Sequence, residues 1–138
     1  MATREARTNF GKPANRRGVT AVEFAFVAPF IFFLFFGFWE WSRVEMIRQT
    51  STTACFEAAR RGTLPSATPA QMSQVADRVL STYTVQNYIF SSSIDSVGRQ
   101  STATVTVPLD DNLATGSLLF QGKSLTATYS LELETNPD

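Results

Sequence analysis

Glu23 stands at the head of a long apolar run, with Arg16-Arg17-Gly18 just before that run. A carboxylate at the centre of a bilayer costs about 2.5–3.5 kcal/mol, and less toward the interface, so its position demands compensation. Two sources are open. Thr20-Ala21-Val22-Glu23 spells a capping box, in which the acid satisfies first-turn amides at the positive end of a helix dipole. Alternatively, a peptidase that cuts after Gly18 leaves a charged amino group on Val19 and makes Glu23 the fifth residue of the mature chain. In an oligomer that carboxylate can pair with the amino terminus of a neighbouring subunit.

Elsewhere the means for chemistry are scarce. The chain has no histidine, which removes Ser-His triads and His-ligated zinc. Cys55 is the single cysteine; an internal disulfide is excluded, and its place on an apolar helical face reads as packing, with a bridge to another chain as the functional alternative. Asp110-Asp111 with Asp95 lacks an EF-type loop and reads as solvated turns rather than a calcium site. Gly98, Gly116 and Gly122 are dispersed singly, so there is no phosphate-binding loop. These residues predict neither enzyme activity nor a cofactor, metal or small-molecule substrate.

The element that must position Glu23 is the run from Val19 to Trp41, which holds eight of the twelve phenylalanines. From Phe24 to Trp39 it contains neither charge nor hydroxyl. A helix over Val19 to Trp39 is about 30 Å long, the hydrocarbon thickness of a bilayer. A soluble core helix would show a polar face. Pro29 within it removes the donor for the Ala25 carbonyl, which predicts either a tolerated loosening or a bend that helps the helix leave the bilayer for a filament.

Charge fixes the expected orientation. Arg4, Arg7, Lys12, Arg16 and Arg17 against Glu5 give +4 before the cut, and the remaining seven basic and eleven acidic residues give −4 after it. The basic leader is expected in the cytoplasm and the C-terminal part across the membrane. So few arginines beside a membrane helix are a topology signal rather than a nucleic-acid patch. An ordinary secretory signal is disfavoured, because the run exceeds the usual apolar core and Trp39-Glu40-Trp41-Ser42-Arg43 offers no small-residue cleavage site. Gly18-Val19-Thr20 after the arginine pair does not suit a twin-arginine signal.

Arg17-Gly18-Val19-Thr20-Ala21-Val22-Glu23-Phe24, then Ala28-Pro29 and Gly37-Phe38-Trp39-Glu40, resemble a class III prepilin signal, and more narrowly the TadE-like minor pseudopilins of the Tad/Flp (type IVb) pilus apparatus. Glu40 with Arg43, and Ala58-Ala59-Arg60-Arg61-Gly62, fit the downstream pattern, so the resemblance covers roughly residues 16 to 62. It implies cleavage between Gly18 and Val19 by a separate prepilin peptidase and an assembly role for Glu23. Phe24 stands where pilins of this class often have tyrosine. The implied partners are the membrane, that peptidase and other pilins or pseudopilins through the N-terminal helix. The implied location is the bacterial inner (cytoplasmic) membrane, single-pass, with the protein remaining there or joining the pilus. An uncleaved, membrane-anchored extracytoplasmic interaction domain is the alternative.

Beyond the membrane the stem keeps helical spacing. Val44, Ile47, Ala54, Cys55 and Ala58 share a side, and Arg60-Arg61-Gly62 reads as a C-terminal stop with a left-handed glycine cap. One helix of about 43 residues would reach roughly 64 Å. Leu64 to Ala67 is a linker, and Thr68-Pro69-Ala70-Gln71 caps a second helix with an apolar stripe of Met72, Val75, Ala76, Val79, Leu80 and Tyr83. The period then changes to two: a first strand, whole or broken, at Tyr88 to Phe90 and Ile94 to Val97, a turn at Gly98-Arg99-Gln100, and half-buried strands at Ser101 to Val107 and Ser124 to Glu134. Pro108 to Lys123 has room for a short helix around Leu113 to Phe120. The expected fold is α+β: a long membrane-spanning pilin-type helix, a second amphipathic helix and a small antiparallel sheet of about three strands. The expected segments are a leader at 1–18, a transmembrane helix at 19–41, its extracytoplasmic continuation at 42–62 and a small domain at 63–138.

Overall fold

The computed structural model describes residues 16–113 and 119–133. Arg4, Glu5, Arg7 and Lys12 of the basic leader, Gly116, most of the expected short helix after Leu113, and Glu134 lie outside them. The elements follow in the order α1 (Arg16–Gly62), α2 (Pro69–Thr82), β1 (Ile89–Asp95), β2 (Gln100–Pro108) and β3 (Ser124–Glu132). The α+β arrangement expected from the period changes is therefore present. The chain divides into two compact units between Phe36 and Gly37.

In the first unit, α1 carries one continuous apolar surface. Every residue from Val19 to Phe36 is exposed except the half-buried Ala28, and the helix continues through Pro29. It is the one helix among the described residues long and apolar enough to cross a membrane. Arg16 is already helical, so Thr20 lies inside α1 rather than ahead of it. This corrects the capping-box reading of Thr20 and Glu23 for the full chain: a side chain can cap only amides left unpaired at a helix start, and that start is upstream.

In the second unit, α1 supplies the spine of a small core. Val44, Ile47, Ala54, Cys55 and Ala58, the side expected from spacing, are all buried, joined by Ala59. They meet Met72, Ala76 and Leu80 of α2 and Ala103, Val105 and Val107 of β2. The sheet order is β1-β2-β3, antiparallel throughout, with Phe90 opposite Val105 and Val105 opposite Ala127. Alternation puts the odd-numbered β2 residues into the core and the threonines on the outer face. There Thr102, Thr104 and Thr106 pair hydroxyl to hydroxyl with Ser130, Thr128 and Thr126 at 3.0–3.2 Å, cross-strand contacts that help hold the register.

Helix α2 begins as its residues dictate. Thr68 is the N-cap, its hydroxyl accepts from the Gln71 amide, and the Gln71 side chain accepts from the Thr68 amide, with proline in the first turn. Tyr83 falls off the expected stripe: it is the C-cap, 49% exposed, because the helix ends at Thr82 before the next apolar position comes round. β1 is one unbroken strand rather than two pieces, since Ser91, Ser92 and Ser93 all pair with β2 despite lacking apolar alternation. The turn after it is drawn in by Asp95, whose carboxylate accepts from the Val97 amide at 2.9 Å.

Candidate functional site

The N-terminal site is built on one helix and faces outward. Gly18, Val19, Glu23, Phe24 and Pro29 all lie on α1. Val19 is 62% and Phe24 65% exposed, and Glu23 is exposed as well. A Cβ placed on Gly18 would meet nothing within 4 Å, so packing does not explain glycine there. An apolar helix face of this size, exposed along its whole length, has to be covered by lipid tails or by other apolar helices.

The second cluster fixes the small domain to the stem where α1 has passed Trp39. Glu40 is 1% exposed, and its Oε2 accepts from the Leu119 amide at 3.0 Å. Leu119 also closes on Gly37, where an added Cβ would stand 3.6 Å from its Cδ1. One turn on, the Arg43 Nε donates to the Asn112 carbonyl at 3.3 Å. Asn112 is itself buried: its Nδ2 donates to the carbonyls of Gln86 and Pro108 at 2.8 Å, and its Oδ1 accepts from the Gln86 amide at 2.7 Å. The Asn112 side chain thus ties the chain after α2 to the chain after β2, and its main-chain carbonyl ties both to the stem. Sequence reasoning placed Glu40 and Arg43 in a pattern but missed Asn112, which has no signal beyond an asparagine in a polar turn.

Farther along, Cys55 is fully buried and donates to the Ala127 carbonyl at 3.3 Å. Burial pushes its thiol up to about 11, partly opposed by a backbone hydrogen bond at Val105. It is an inert packing residue, and a bridge to another chain would require the core to open. Gly62 is not in the left-handed region, which corrects the cap expected there. Its glycine is required by close approach, because a Cβ would collide with the Ser101 hydroxyl and lie 2.9 Å from the Met72 sulfur. The three acids weighed as a calcium site serve different turns: Asp110 accepts from the Gly122 amide, Asp111 from Asn87, and Asp95 from Val97.

The apolar helix continues into a small α+β unit, where a buried acid and an arginine tie it to the loops around the sheet. The family model described as TadE-like protein matches residues 18–60, from the glycine before the apolar run through Arg60, as the resemblance implied. The match covers less than half of the chain, and α2 and the sheet lie outside it. No curated protein and no solved structure matches the chain.

Proposed function

We propose that this chain is a minor pseudopilin, a structural component of a Tad/Flp pilus or related secretion apparatus, cut by a prepilin peptidase between Gly18 and Val19. The observation that carries the reading is the wholly exposed apolar face from Val19 to Phe36, which begins beside an unpacked glycine at the start of the family match. The basic leader stays in the cytoplasm, and the unit from Gly37 onward is displayed across the membrane. After the cut, Val19 carries a positive amino group, and Glu23 four residues on carries the complementary charge. Pairing between neighbouring stems removes both charges from the apolar environment at once, which neither could tolerate alone. Cleavage also brings Thr20 back to the helix start, where it can satisfy end amides. Phe24 and its apolar neighbours then pack against sister helices, and Pro29 lets the stem flex as it leaves the bilayer.

The test is Glu23→Ala in the intact assembly system. Assembly should be lost while the leader is still removed. Normal assembly by this variant would remove Glu23 from the mechanism, and loss of cleavage would shift its role to peptidase recognition.

A further inference from the structure

Beside the stem lies a cavity of about 440 Å³ to which no role has yet been given. It is lined by Trp39, Arg43 and Met46 of α1, Leu113, and the polar Gln86 and Asp111. Its size falls within the range of about 300–1,000 Å³ typical of small-molecule sites. Its place along the stem is unusual. The α1 residues lie at offsets of four and seven from Trp39, on one helix face, and span about 10 Å starting at the end of the apolar run. If that run spans the bilayer, Trp39 sits in the aromatic belt and the cavity opens at head-group depth.

Two opposite charges face this cavity without pairing with each other. Arg48–Glu45 is the ion pair found among the described residues. Arg43 is held by its Nε on the Asn112 carbonyl and by Nη1 on the Met46 sulfur, 3.9 Å away, and its other guanidinium donors have no partner among the described residues. Asp111 is steadied by the Asn87 amide on Oδ2 at 3.1 Å. A cation and an anion, each oriented by a neutral neighbour over an apolar floor, complement a ligand that carries both signs.

We propose that this cavity binds the head group of a phosphatidylethanolamine-type lipid, its phosphate on Arg43 and its primary ammonium on Asp111. The guanidinium fork suits phosphate oxygens. The Asp111 carboxylate accepts hydrogen bonds that a primary ammonium can donate and a trimethylammonium cannot. Choline recognition relies on an aromatic cage, and Trp39 is the lone aromatic residue here. The glycerol lies along Trp39 and Met46. This inference rests on the stem crossing the membrane, though not on cleavage or filament assembly.

The experiment uses the full chain in nanodiscs of equal parts phosphatidylethanolamine, phosphatidylglycerol and phosphatidylcholine, released into mild detergent, with co-purifying lipids counted by native mass spectrometry. Phosphatidylethanolamine should be retained selectively. Asp111→Asn, which keeps an oxygen for Asn87, should weaken that retention about tenfold and abolish the preference over phosphatidylglycerol. Arg43→Gln should weaken retention of all three lipids and lower the thermal midpoint, because the bond to the Asn112 carbonyl goes with it, while Asp111→Asn, outside that lock, reads selectivity alone. Equal retention of the three lipids by the unaltered chain overturns the proposal, as does selectivity that survives Asp111→Asn. Binding of soluble glycerophosphoethanolamine in lipid-free detergent, equal to that of the lipid, would assign the cavity to a soluble zwitterion instead. A chain that fails to enter nanodiscs at all would refute the membrane stem itself, a result distinct from insertion without lipid selectivity.

Discussion

Two buried groups show how closely α1 is fitted to the sheet. Ser101 has a buried hydroxyl with no hydrogen-bond partner among the described residues, and it lies where Gly62 leaves room for it. Ser101→Ala should therefore be neutral or stabilising by about 1 kcal/mol, because it removes an unsatisfied polar group without emptying much space. Gly62→Ala should cost about 1–3 kcal/mol, since the new methyl meets both Ser101 and the Met72 sulfur. Urea midpoints of the full chain in detergent measure both, and the double variant should recover part of the loss. Cys55 adds a pH signature. Its thiol pKa rises from 9.0 to about 11 on folding, so the folded state holds the proton more tightly. The stability this confers is complete below pH 9 and is lost as pH rises through about 11. Cys55→Ala should flatten that part of the stability profile, and a slope identical to that of the unaltered chain would show that the thiol does not titrate with unfolding.

The elements were legible where one period and one cap agreed. Thr68, Pro69 and Gln71 state where α2 begins, and the alternation of Ala103, Val105 and Val107 with threonine states which face of β2 is buried. Thr68→Ala should lower stability by about 1 kcal/mol, read as a shift in the same urea midpoint, by leaving first-turn amides of α2 unpaired. β1 was less legible because its three consecutive serines carry no face preference; neighbouring β2 imposes the strand by supplying a complete ladder. The lock around Asn112 could not be read at all. It joins residues 26 positions apart through one amide side chain, and only the folded loops bring Gln86 and Pro108 to it. At the N-terminal site Glu23 stands exposed on an apolar helix, and the capping explanation fails because α1 is already helical at Arg16.

At the scale of the whole molecule, two tasks are divided along one helix. The half from Val19 to Phe36 is exposed apart from the half-buried Ala28 and depends on lipid or sister stems, while the half beyond Gly37 is the spine of a domain. A sheet of three strands with one covering helix is marginal in isolation, and the stem residues Ile47, Ala54, Cys55 and Ala58 complete its core. The pseudopilin account requires that the leader be removed while the stem is kept. The most direct measurement is the intact mass, with amino-terminal sequencing, of the protein extracted from membranes of cells that carry the assembly system. The account predicts a chain that begins at Val19 and remains membrane-bound; a chain still carrying residues 1–18, or one trimmed past Trp41 and free of the membrane, would contradict it.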